Sequence, residues 1–154
     1  MAEIIKIKTE GFKELEAVLI EMGEDLCYGK TASRVLIPAI RTAMQPVLET
    51  AKQLAPYDEK NNTTSHLRDT IKLSARTPNS RDKRSIYSSP NDIAIGIVSA
   101  RTDKRGISQE FGNAHVKAPQ PYLRPALEAN ATRVINILGT FLTYKLQQYK
   151  SKKA

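Results

Sequence analysis

The spacing of apolar positions changes several times along the chain, and each change marks an element boundary. Residues 3–8 (EIIKIK) alternate loosely and are rich in isoleucine, which predicts a short strand with Gly11 closing the turn. From Phe12 the apolar residues Phe12, Leu15, Leu19, Met22 and Leu26 recur at spacings of three and four, so a helix is expected with one apolar face and one glutamate-rich face. Gly29 and Lys30 interrupt it. Thr31 or Ser33 can cap a second helix, whose stripe runs through Leu36, Ile40, Ala43, Val47, Ala51 and Leu54. Pro38 and Pro46 fall inside that stripe. Each removes an amide donor and costs about 3 kcal/mol in an unsupported helix, so a kink is expected near one or both. Pro56 ends the element.

The segment 57–66, with its polar run YDEKNNTTS at 57–65, has no apolar period and reads as an exposed, mobile loop. Residues 66–76 (HLRDTIKLSAR) predict a short turn feeding a strand that points Ile71, Leu73 and Ala75 to one face. A second mobile polar loop spans 77–91. Residues 92–100 (DIAIGIVSA) form the clearest strand, with Ile93, Ile95, Ile97 and Ser99 on one side and Ala94, Gly96 and Val98 on the other. Burial on both faces, or nearly so, is expected. Residues 101–106 (RTDKRG) read as a basic turn, and 107–111 as a returning strand or short helix. From Leu127 the positions Ala131, Val134, Ile135, Leu138, Phe141, Leu142 and Tyr149 trace a helix of about six turns, ending in a lysine-rich tail. The order predicts an α+β fold in which a small, mainly antiparallel sheet packs against two N-terminal helices and one long C-terminal helix. So small a sheet leaves apolar surface that a subunit partner could cover.

Length and composition narrow the class. A chain of 154 residues with 40% apolar content is the size of one domain, taken as 1–154. The single Cys27 forbids an intramolecular disulfide, and with only His66 and His115 beside it, a His/Cys zinc site is not expected. The first residues lack a signal peptide's apolar core and no run is long enough to span a membrane, so a cytoplasmic place of synthesis and no membrane partner are expected. Net charge is +8 and uneven. The first helical region is acidic, with Glu14, Glu16, Glu21, Glu24 and Asp25, whereas residues 60–105 hold ten Lys/Arg against four Asp. Such a basic stretch suits a phosphate backbone, an acidic protein surface, or simply solvated loops.

A search for chemistry finds little. There is no Gly-x-Ser-x-Gly, no Cys/His pairing and no phosphate-binding glycine pattern, and the two histidines sit in polar, loop-like surroundings. Glu110 with Asp92 and Asp103 is the only local carboxylate grouping, and Glu110 reads more simply as a polar residue in a structural turn. The six tyrosines are scattered and match no RNA-recognition pattern. Neither an enzyme nor a cofactor is expected.

The most distinctive stretch is QEFGNAHVKAPQPYLRPALE at 109–128, with three of the chain's eight prolines. Glu110-Phe111-Gly112 followed by Pro119-Gln120-Pro121-Tyr122-Leu123-Arg124-Pro125-Ala126-Leu127-Glu128 resembles the "EFGT … PQPFLRPALE" signature of the tailed-bacteriophage tail-completion family. That family groups small neck and minor tail proteins of long-tailed phages, including relatives of the lambda minor tail protein Z. Three more segments agree in order: GFKEL at 11–15 with "GLKEL", MQPVLETAKQLAP at 44–56 with "AAKPVLEEAKRLAP", and LRDTI at 67–71 with "LRDSI". The chain departs from the pattern by a longer 58–66 segment in place of a "DTGxL" link, and by Asn113 where threonine is usual.

The resemblance implies a structural virion protein, assembled in the bacterial cytoplasm and residing at the tail-proximal neck. It would complete the tail tube and join it to the head connector as a homo-oligomeric ring, six copies being favoured by tail symmetry. Its partners would be further copies of itself, the tail tube protein and the head connector or neck proteins. Glu110, Phe111, Gly112, Pro121, Tyr122, Leu123, Arg124 and Pro125 are then the candidate assembly interface. Phe111 is expected as an apolar plug, Gly112 to permit a backbone angle that other residues resist, Pro125 in the first turn of the last helix, and Arg124 paired with Glu110 or Glu128. Arg81, Lys83, Arg84, Arg101, Lys104 and Arg105 are candidate cations for a DNA channel or for docking an acidic neighbour, with docking favoured for the long loops. A head-completion adaptor and, from a different class, a free basic DNA-binding protein are the alternatives.

Overall fold

The computed structural model describes residues 30–57, 59–60, 65–85, 92–100 and 103–153. The strand expected at 3–8, the helix expected over 12–26, parts of both polar loops and Arg101 lie outside those residues. Within them the order is α1 (Lys30–Ala43), α2 (Gln45–Leu54), α3 (Leu67–Thr70), β1 (Lys72–Arg76), a 3-10 turn (Asp82–Arg84), β2 (Ile95–Ser99), α4 (Lys104–Phe111) and α5 (Leu123–Lys153). The fold is α+β, as the pattern predicts.

The expected proline kink is a break at one place. Helix α1 runs through Pro38, and the chain leaves helical assignment only at Met44, one residue before α2 begins with Pro46 in its first turn. Pro38 is exposed, so the groups its ring disturbs still reach water. Pro46 is buried, and the ring has no solvent side into which to turn. Hydrogen bonds from Met44 N to Ile40 O (2.9 Å) and from Leu48 N to Met44 O (3.1 Å) carry the ladder across the break.

Strands β1 and β2 pair antiparallel, with Lys72 opposite Ser99, Ser74 opposite Ile97 and Arg76 opposite Ile95. Alternation decides which face is covered: Ala75 is buried, Lys72 and Ser74 are exposed, and Ile71 at the strand entrance is 1% exposed. Gly96 opposes Ala75, and a Cβ built on it would lie 2.4 Å from Ile40 Cγ2. Two small residues side by side therefore let α1 settle onto the sheet. The double-sided burial expected for residues 92–100 is only partial, since every residue of β2 is half-buried.

Helix α5 is 31 residues long, about 46 Å at 1.5 Å per residue, and so exceeds the expected six turns. The lysine-rich tail is its last turns, helical through Lys153. It begins at Leu123, so Pro125 falls in the first turn, where its missing donor costs nothing. Leu127, expected on the packed stripe, is 46% exposed. The covered face instead steps by four through Tyr122, Ala126, Asn130, Val134, Leu138 and Leu142.

Opposite that face lie α1 and α2, running antiparallel to α5. Val47, Ala51 and Ala55 share a core with Tyr122 and Ala126, Thr50 meets Asn130, and Ala39 packs with Leu142. Five alanines in α1, α2, the residue after α2, and α5 are nearly or wholly buried, which permits close helix approach. Asn130 satisfies its buried amide by donating to Thr50 Oγ1 and to Ala126 O, both at 2.9 Å. Among the described residues no helix is long and apolar enough to cross a membrane.

Candidate functional site

The motif residues converge where α4 hands the chain to α5. The segment read as a basic turn opens α4: Asp103 caps it, accepting from Arg105 N at 3.0 Å, and Lys104 and Arg105 are its first two residues. The Arg105 guanidinium folds back onto the same carboxylate at 2.7 Å and donates to Ser65 O at 2.8 Å. That hydrogen-bonded arginine outweighs burial and holds the Asp103 carboxyl below its ordinary range. Gly112 ends the helix at φ 77°, a left-handed angle that a side chain resists, and its N–H reaches Ser108 O at 2.8 Å. Asn113, where the resembled pattern has threonine, then accepts from His115 N and Val116 N, both at 2.8 Å, and donates to Ser108 Oγ at 2.7 Å. Its side chain holds the loop shut as an Asx turn.

Helix α4 carries its amphipathicity inverted. Gly106 and Glu110, four apart on one face, are buried, whereas Ile107 and Phe111, four apart on the next face, are 68% and 67% exposed. Phe111 is therefore not the expected plug. Adjacent helical residues point about 100° apart, so turning Glu110 inward sends Phe111 outward. The ring carries the Arg124 guanidinium 5.1 Å from its centre.

Glu110 faces inward because the start of α5 needs an anion. Its Oε2 accepts from the amides of Tyr122 and Leu123, both at 2.9 Å, and its Oε1 from Arg124 N and Arg124 Nε, both at 3.1 Å. Three orphan N–H groups of a helix N-terminus and one guanidinium are satisfied by a single carboxylate from 12 to 14 residues earlier. Burial pushes its pKa up, but the amides of Leu123, Tyr122 and Arg124, with the Arg124 side chain, outweigh burial and hold it below the ordinary glutamate range. Of the partners expected for Arg124, it is Glu110 of the same chain that takes it.

Tyr122, fully buried, stands beneath this clamp. Its hydroxyl has no hydrogen-bond partner among the described residues, and burial, then the Glu110 and Asp103 charges, push its pKa up to about 12. Gly106 leaves room for it: a Cβ there would sit 2.8 Å from Tyr122 Oη and 3.0 Å from Ala100 Cβ.

Beside the clamp runs a groove of about 530 Å³ between the outer face of β2, α4 and the start of α5. Ile97, Ile107, Phe111 and Leu123 give it apolar walls, and Arg76, Arg81 and Arg124 stand along it. Arg76 pairs with Asp82, whose Oδ2 also accepts from Asn79 N at 2.8 Å. Of the six cations singled out in the sequence, Arg81 alone is brought to the groove, and Arg101 lies outside the described residues. Lys83 and Arg84 are exposed on the 3-10 turn, and Lys104 and Arg105 on the first turn of α4. Pro121 is exposed and Pro125 half-buried at the entry to α5.

Sequence reasoning missed Arg76, Asp82, Ile107 and Gly106. The pair spacing of Gly106 with Glu110 against Ile107 with Phe111 was available in the sequence; the Arg76–Asp82 pairing across a turn leaves no such trace. Chemically, a carboxylate already accepting four N–H bonds has no lone pair placed to take a proton, and a phenol held near 12 is no nucleophile at neutral pH. Elsewhere, His66 N donates to Asp69 Oδ2 at 3.2 Å at the start of α3, and its ring lies 4.2 Å from that of Tyr57. Among the described residues no group of three or more His, Cys, Asp or Glu is placed to hold a metal. No family model, no curated protein and no solved structure matches this chain.

Proposed function

We propose that this chain is a structural bacteriophage virion protein that completes the tail tube and joins it to the head connector, working as a ring of identical copies, six being favoured. What supports the reading is the ordered series of motif segments, and above all the way one of them folds. The EFG…PYLRP residues form a stiff corner in which Glu110 closes the start of α5 and leaves Ile107 and Phe111 on the outside. An inverted amphipathic helix on a rigid frame suits a subunit interface, because large apolar side chains held in water gain by being covered. Its acidic and phenolic groups are committed to structure, which favours an assembly role over catalysis.

The tail end is preferred to a head-side adaptor because the motif series is that of tail-completion proteins. Incubating the full chain with purified tail tubes and imaging in negative stain should show a cap of density at one tube end, with rings of several copies. Tight DNA binding by a monomer that leaves tubes bare would sink the reading.

A further inference from the structure

The groove beside the Glu110 clamp joins two chemistries that few partners match. Its apolar walls include Ile107 and Phe111, 68% and 67% exposed, which gain by being covered with a large apolar side chain. Its two carboxylates are engaged, Asp82 by Arg76 and Asn79 N, and Glu110 by Arg124 and the α5 amides. Its cations are less committed. Arg81 is exposed, and its side chain has no ion-pair or hydrogen-bond partner among the described residues. Arg124 reaches Glu110 through Nε and Nη2, and with 62% of its side chain exposed, its Nη1 meets no acceptor among the described residues. Lys83 and Arg84 are exposed on the turn that Arg81 begins. A guanidinium without a counter-ion beside an open apolar wall is complemented by a carboxylate next to an apolar side chain.

Nucleic acid supplies the charge without the apolar group. Ile97, Ile107 and Leu123 are aliphatic, whereas a base needs a flat ring to stack on, and the exposed ring of Phe111 already carries the Arg124 guanidinium 5.1 Å from its centre. The body of a second copy supplies the wrong sign. Of the chain's 24 Lys/Arg and 16 Asp/Glu, residues 1–29 hold three and seven, so residues 30–154 carry a net +12 and repel their like.

We propose that the groove is the docking site for a different protein, entered by a short acidic segment that carries a large apolar side chain between carboxylates. The apolar side chain lies against Ile107 and Phe111, and the carboxylates meet Arg81 and the free edge of Arg124. The inference rests on the assembly reading only in taking that partner to be a neck or tail protein; the chemistry of the contact stands apart from tails.

The test uses the full chain and a fluorescein-labelled peptide, Asp-Glu-Leu-Phe-Glu-Asp, in anisotropy titrations. One control peptide has lysine at every acidic place, and the other has serine in place of Leu and Phe. The acidic apolar peptide should bind at least about tenfold tighter than either control. Arg81→Glu and Phe111→Ser, both at exposed positions, should each weaken it about tenfold, whereas Lys152→Glu, the same charge change near the other end of α5, should leave it within about twofold. A serine control that binds as well reduces the contact to bulk charge, and a lysine control that binds as well reduces it to unselective apolar contact; either overturns the inference. Openness is read separately. With Cys27→Ser as background, an Ile107→Cys thiol in the free full chain should react with maleimide at close to the rate of an unstructured thiol. Slow labelling before any peptide is added would mean that the chain's own first residues or a second copy already cover the groove, and would overturn the inference. If the peptide fails while tube ends are still capped, the groove assignment falls and the tail reading stands. If the peptide binds as expected and tube ends stay bare, the tail reading falls and the groove assignment stands.

Discussion

Glu110 replaces, with one carboxylate, the several side chains or waters that a helix start otherwise recruits. Because its native pKa lies below its unfolded value, the folded chain keeps the anion at acidities where the unfolded chain has begun to take up protons. Its contribution is thus complete above the unfolded value of about 4.3 and is lost as pH falls through the native one. Glu110→Gln presents an NH2 group to donors and leaves an amide of the first α5 turn unpaired. Chemical denaturation at neutral pH should show a loss of about 2–3 kcal/mol, shrinking as pH is lowered below 4. A variant as stable as wild type at neutral pH would mean that the clamp is decorative.

Tyr122 makes the opposite case. A buried hydroxyl without a partner is a cost, so Tyr122→Phe should leave stability unchanged or raise it by up to about 1 kcal/mol in thermal melts. The resembled motif carries phenylalanine at this place. Gly106→Ala should cost about 1–3 kcal/mol alone and less in the Tyr122→Phe background, since the hydroxyl is the atom the new methyl meets first. Purely additive effects would show that the crowding is relieved elsewhere. None of this was legible residue by residue. Apart from Arg124, the partners of Glu110 are backbone amides, which carry no side-chain identity, and Phe111 reads as a plug because apolar character shows what a residue prefers, not which way its neighbour forces it to point.

At the scale of elements the sequence was more informative, for a physical reason. Periodicity records which face of a helix or strand is covered, and covered faces are most of what holds this fold. Helices α1 and α2, strand β1 and the body of α5 were therefore readable, and the break beside Pro46 was foreseen as a possibility. What periodicity could not show was where elements stop. Helix α5 starts four residues before the first apolar position assigned to it because a remote carboxylate caps it. The turn expected at 101–106 runs into a helix because Asp103 caps it. Gly96, read simply as the small residue of a strand, marks where α1 touches the sheet. Gly96→Val should force Ile40 Cγ2 and Met44 Cγ apart from the strand, at a cost of about 1–3 kcal/mol in urea denaturation, partly restored by Ile40→Ala. Loss without restoration would place the strain in the β1–β2 pairing instead.

The molecule as a whole is a strongly basic body joined to an acidic first segment, and that division bears on whether its cations meet DNA or protein. The structure scatters the candidates. Arg81 lies at the groove, Arg105 is occupied by Asp103 and Ser65 O, Lys83, Arg84 and Lys104 are exposed on two separate turns, and Arg101 lies outside the described residues. A protein that tracks a phosphate backbone loses affinity with salt at a slope of about −0.9 per phosphate neutralised. Among the described residues the 3-10 turn groups three exposed cations, Arg81, Lys83 and Arg84, and contact through that turn gives a slope for duplex DNA no steeper than about −3. The affinity at physiological salt should stay in the non-specific range of about 10⁻⁴–10⁻⁶ M, without sequence preference. Changing all three to glutamine should flatten the salt dependence, a measurement made by fluorescence anisotropy on a labelled duplex. The same variant should also weaken assembly if the turn serves docking, so assembly and DNA affinity respond together only where one surface does both. Nanomolar binding with a slope several times steeper would instead require a continuous basic face. That outcome would favour the free DNA-binding reading over the assembly reading.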